Sequence, residues 1–195
     1  MDYTRILTII LLTYFIFFIV VPELTSRIFL RRVQADDGTY WNVQNDLPCP
    51  KCAANRLSEV HKDLKRLIEY VNEKFPNDPR SKKLLNYDIS RVQEGRPGGL
   101  NGDTSYVVNK GEKIVHCLRS AKDVSKFVSK NLQVYTVVHE ASHIASNSYG
   151  HGLEFQKNFL WLLKHAVDIG IYKPVDYSKN PEEFCGLNVN ASILF

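Results

Sequence analysis

The sequence predicts an α+β domain, an H-E-x-x-H helix packed on a small antiparallel sheet, behind an N-terminal transmembrane helix. Three observations predict it. An uncharged apolar run opens the chain at residues 6–22. Helical patterning recurs at residues 55–75, 131–147 and 153–170. Two β-rich runs flank an Asn/Gly turn within residues 105–118.

The chain has 195 residues, 44% hydrophobic and 24% charged, which suits one globular domain with an appendage and excludes disorder as the main state. Net charge is +4, from 25 Lys+Arg against 21 Asp+Glu, spread along the chain without a dense basic stripe. No nucleic-acid partner is therefore expected. Four cysteines are too few for a disulfide-dense scaffold.

From Ile6 to Pro22 no residue is charged. A helix over this run would span roughly 25 Å, close to the roughly 30 Å of a hydrocarbon core. The basic region before it is only Arg5, and no small-residue cleavage site follows, which favours an uncleaved anchor over a signal peptide. Residues 1–26 read as a membrane anchor, 27–48 as a polar tether and 49–195 as the domain. The expectation is a single-pass membrane protein, held through residues 6–22. Arg27, Arg31 and Arg32 after the span favour a cytoplasmic domain. The sequon Asn190-Ala191-Ser192 and the cysteines favour the other side, so the side stays open.

Leu57, Val60, Leu64, Leu67, Ile68, Val71 and Phe75 mark one apolar helix face, ended by Pro76-Asn77-Asp78-Pro79. Residues 94–104 form a Gly/Pro/Asn loop. Ser105–Val108 and Lys113–Leu118 then make a hairpin about Asn109-Lys110-Gly111-Glu112. Phe155, Phe159, Leu162, Leu163 and Val167 mark the apolar side of the last helix.

The informative segment is His139-Glu140-Ala141-Ser142-His143. On a helix, residues four apart share a face, so both imidazoles reach one metal ion. Glu140 then lies beside the metal rather than on it, the place of a general base for a hydrolytic water. A catalytic zinc takes three protein ligands. His151, between Gly150 and Gly152, is the best third, and Glu154 is the runner-up. His165 and His116 are poorer candidates. Tyr149, Tyr172 and Tyr177 are candidate donors to an oxyanion, each more readily read as a packing residue.

The string from His139 to Phe155, H-E-A-S-H followed by H-G-L-E-F, resembles zincin metallopeptidases of the SprT and WLM type. That resemblance implies Zn2+ on His139, His143 and His151, Glu140 as catalytic base and a zincin-like fold. A broader likeness takes in Gly102–Tyr106, Asn109–Lys113, Cys117–Arg119, Pro174–Tyr177 and Cys185-Gly186. It is to a set of zinc metalloproteases encoded by large DNA viruses and their hosts.

The expected function is zinc-dependent hydrolysis of a protein or peptide substrate, lying as an added strand along the 105–118 hairpin. Two alternatives differ in class. One is a membrane-anchored interaction protein with a non-catalytic zinc site. The other is a thiol oxidoreductase built on Cys49-Pro50-Lys51-Cys52. The latter lacks the preceding strand and βαβ context that a thioredoxin fold requires. Four cysteines allow three pairings, and the sequence does not choose among them.

Overall fold

The computed structural model describes residues 3–20, 29–98 and 105–195. Pro22 and Arg27, called as the end of the span and its flank, lie outside the described residues, as do residues 99–104 of the Gly-rich loop.

The N-terminal expectation is overturned. Helix α1 covers Tyr3–Phe15, 13 residues, and then widens into a π-turn over Ile16–Val20. Thirteen residues at 1.5 Å each span about 20 Å, well short of a bilayer core. Among the described residues no helix is long and apolar enough to cross a membrane. The transmembrane helix and the single-pass location are therefore withdrawn.

The stretch read as a tether is also corrected. β1 (Leu30–Gln34) and β2 (Tyr40–Gln44) pair antiparallel, Arg31 opposite Val43 and Val33 opposite Trp41. The Asp36-Asp37-Gly38 turn joins them, with Gly38 at φ 86°. Trp41 and Val43 point inward and are buried. The two inward residues are separated by one, the period of a half-buried strand.

Helix α2 (Pro50–Lys74) runs 25 residues, starting five earlier than its apolar face suggested. Cys49 caps it, and Pro50 occupies the first turn, where its missing N–H costs nothing. Leu57, Val60, Leu64, Leu67 and Val71 are buried as the spacing requires. The short α3 (Pro79–Leu84) follows, capped by the Asp78 carboxylate on the Arg80 N–H. Together α2 and α3 carry the chain from β2 back to β3 (Val92–Gly95), which is parallel to β2. A crossover through a helix permits that geometry, whereas a tight turn does not.

β4 (Tyr106–Val108) and β5 (Lys113–Cys117) form the expected hairpin. β5 also pairs parallel with β3, so the order is β1-β2-β3-β5-β4. The sheet is thus five-stranded and mixed, not small and antiparallel, and β4 is at its edge. α4 (Lys130–Ala145), capped by Ser129 on the Leu132 N–H, is the central helix. Twelve of its 16 residues are buried, because α2, α3, α5 and β4 pack around it. α5 (Leu153–Asp168) lies against α4 through Phe155, Phe159, Leu162 and Leu163. A last ribbon, β6 (Glu182–Phe184) and β7 (Leu187–Val189), closes the chain.

The cysteines pair as Cys49–Cys52 and Cys117–Cys185. The second bond is fully buried and holds the β6–β7 turn against the end of β5. Beside it, Arg119 Nε donates to the Glu94 carboxylate at 2.6 Å, both side chains wholly buried. The other Glu94 oxygen accepts the Gln44 N–H at 2.8 Å. This pair joins β2, β3 and the strand end after β5.

Candidate metal centre

The i, i+4 spacing puts His139 and His143 on one face of α4, their ring centroids 5.2 Å apart. After Ala145 the chain leaves the helix, and the loop to α5 returns His151 over them. His151 stands 4.9 Å from each of the two rings, and its Nε2 is 3.0 Å from Nε2 of His139. The ligand atoms of the three histidines all lie within 4.8 Å of one another.

Phe155 packs against the three imidazoles, 4.3 Å from His143 and 4.8 Å from His139 and His151. Phe159 adds an edge contact to His139 at 5.2 Å. Both come from α5, four residues apart, so one helix face backs the whole cluster. This aromatic wall limits ring rotation and keeps water from one side.

Electrostatics favour ligation. Burial, with the neighbouring imidazoles, pushes His139 down to about 3. Burial, with His151 and Lys110, pushes His143 down to about 4. The neutral ring is the form that binds metal, so these residues are ligands in waiting at neutral pH. Glu140 is 6% exposed, and burial pushes its carboxyl up to about 8. An acid of that pKa exchanges protons near neutrality, as a general acid–base group must. Three imidazole donors and an adjacent acid fit a metal ion of the zinc type.

The cluster opens on a cavity of about 300 Å³. His139, Glu140, His143 and His151 line it together with Ser105 and the β4 residues Tyr106 and Val107. Edge strand and histidines therefore face the same space. Tyr149 is at the rim, 79% exposed. Tyr172 and Tyr177 do not line it; they are buried in a cluster with Tyr135.

Glu154, the runner-up ligand, is engaged elsewhere. Its carboxylate accepts the Asn147 and Ser148 backbone N–H groups at 2.8 and 2.9 Å and the Asn147 side chain at 2.9 Å. These donors hold its carboxyl down to about 2. Glu154 therefore clamps the loop that returns His151. Its side chain makes the reach from the first turn of α5 back to the end of α4, which residue type alone did not reveal. His165 pairs with Asp168 at 3.0 Å and packs on Phe75 and Trp161, outside the cluster.

His116 is also outside it, wholly buried behind α4. Thr136 donates its hydroxyl to the Gln133 carbonyl at 2.9 Å, so its oxygen accepts from His116 Nε2 at 3.4 Å. Nδ1 of His116 then accepts from His61 Nε2 at 3.1 Å. Nδ1 of His61 is left to accept the Tyr87 hydroxyl. One direction runs along the whole chain, and it requires both rings neutral. It fastens α4 to β5, α2 and the segment after α3.

No family model matches the chain. A protein of Acanthamoeba polyphaga mimivirus, "Uncharacterized protein R325", is 34% identical over 157 residues, 78% of this chain and 78% of that protein. "Uncharacterized protein 136R" of Invertebrate iridescent virus 6 is 31% identical over 72 residues, 36% of this chain and 40% of that protein. Among solved structures, Wss1 from Saccharomyces cerevisiae superposes with a TM-score of 0.51 at 20% identity, covering 65% of this chain and 86% of that one. A Wss1 mutant from the same organism gives a TM-score of 0.51 at 19% identity, covering 65% and 87%. The mixed α/β fold described above is similar to that of Wss1.

Proposed function

This chain belongs to the family of the mimivirus protein, and we propose that it is a zinc-dependent peptidase. One observation carries the reading: three imidazoles converge beside a buried carboxyl, in a cavity that an edge strand also lines. The mixed α/β fold, similar to that of Wss1, is compatible with this reading.

His139, His143 and His151 would hold the ion. Bound there, zinc supplies a Lewis acid that polarises a peptide carbonyl and acidifies water. Glu140 takes a proton from the attacking water and returns it to the departing amine. Its carboxyl, raised by burial in the metal-free site, is drawn back toward the ionised form by a nearby cation. β4 offers the extended peptide a backbone edge to pair with, and so presents the scissile bond to the histidine side of the cavity. Phe155 and Phe159 hold the ligand rings while the substrate turns over.

The test is metal content and cleavage together, on the full chain. Purified without added metal, the protein should carry about one zinc, weakened or lost in His151→Ala. Glu140→Gln should keep the metal and lose cleavage of a peptide library by at least about 10²-fold. Full activity in Glu140→Gln, or zinc retained undiminished in His151→Ala, would remove the assigned roles.

A further inference from the structure

Lys110 stands outside the ligand set but joins three parts of the site. It lies in the β4–β5 turn between Asn109 and Gly111, and the three residues have φ of 43°, 57° and 112°. Asn and Gly tolerate that left-handed region. A lysine seldom occupies it, because its Cβ crowds the following carbonyl. Such backbone persists where the surroundings hold the side chain in place, and here they do. Lys110 Nζ donates to the His143 carbonyl at 3.0 Å and to the Ser148 carbonyl at 2.6 Å. The Tyr149 ring centroid lies 4.7 Å from the same ammonium.

Each partner belongs to a different part of the centre. The His143 carbonyl is in the last turn of α4, where carbonyls lack a helical partner and carry the negative end of the dipole. Ser148 is in the loop that brings His151 back. Lys110 itself caps the strand edge that faces the histidines. A single ammonium therefore links edge strand, metal helix and third-histidine loop.

We infer that Lys110 is a positioning residue, which through its two carbonyl contacts holds the His151 loop in register with His139 and His143 and ties that loop to the β4 edge. The link to substrate rests on the peptidase reading; the link to histidine geometry does not. Peptide seated on β4 and metal on the histidines then strengthen each other, and that coupling is reciprocal.

The test uses Co2+ as probe on the full chain, since its visible spectrum reports ligand number and geometry. Lys110→Gly deletes the ammonium while relieving the left-handed backbone, so it folds. It should weaken Co2+ binding about tenfold or more and alter the spectrum. Lys110→Arg should recover most of that loss. Glu112→Gln, which perturbs the hydrogen bond to Asn109 within the same turn, should behave as wild type. Unchanged Co2+ affinity and spectrum in Lys110→Gly would overturn the role. So would an equal loss in Glu112→Gln, which would assign the effect to turn stability. A wild-type chain that takes up no Co2+ would overturn the three-histidine reading itself, and the role of Lys110 with it.

Discussion

Replacing His116 by Gln should flatten the acid dependence of stability. The His116 ring is wholly buried, and burial pushes its pKa down to about 3 from an ordinary 6.5. Between those values the unfolded chain binds a proton that the folded chain refuses. The contribution is fully present above about pH 6.5 and is lost as pH falls toward the folded value. The slope approaches about 1.4 kcal/mol per pH unit once the unfolded histidine is protonated, which integrates to about 2.3 kcal/mol from pH 6.5 to 4.5. Glutamine can still accept from His61 and donate to Thr136, so the hydrogen-bond chain survives while the titration does not. Urea unfolding at pH 4.5, 5.5, 6.5 and 7.5 measures both proteins on one scale. Carboxylates and the histidines away from His116 titrate alike in both and cancel in the difference; His61, its partner, stays buried in both and keeps its depressed pKa through burial. The variant should lose less stability on acidification, by about 1 kcal/mol from pH 6.5 to 5.5 and about 1.3 kcal/mol from 5.5 to 4.5. Parallel slopes in the two proteins would show that His116 is not buried neutral, and the directional chain through His61 would fall with it.

Three further outcomes follow from single contacts. Glu154→Ala frees the Asn147 and Ser148 N–H groups and should weaken metal binding about tenfold, read by chelator competition; a variant that binds as tightly as wild type would show the loop needs no clamp. Arg119→Met strands the Glu94 carboxylate in the core and should cost about 3–5 kcal/mol by denaturant unfolding, whereas the Arg119→Met/Glu94→Leu pair should recover much of it. Phe155→Ala removes the wall behind the three imidazoles and should cost about 3–5 kcal/mol together with a loss of metal affinity; loss of stability with metal binding intact would separate the two roles.

The helices were the most legible part of the fold. The apolar spacing of Leu57 through Val71 placed α2, and only its start was missed, because Cys49 and Pro50 cap the helix without adding apolar residues. The hairpin around Asn109 was legible for the same local reason. The first hairpin was not: Arg31, Arg32 and Gln34 made β1 look like a solvated linker. Its inward residues, Trp41 and Val43, mean something only once α2 covers them. The apolar run at residues 6–22 was legible as hydropathy. A helix long enough to cross a membrane did not follow from it, since the α-helix changes to a π-turn at Ile16.

By itself the sequence determined that His139 and His143 share a helix face, because 3.6 residues per turn leaves no other arrangement. It also determined that Glu140 adjoins them. Tertiary structure decided which further groups meet that pair. His151 returns because Glu154 and Lys110 grip the loop from two sides, contacts spanning 6 and 38 residues that no local pattern encodes. It likewise decided that His116 lies buried behind α4 rather than in the cluster, and that the cysteines pair as they do. Local periodicity reports which way a residue faces; what it faces depends on the packing of elements distant in the chain.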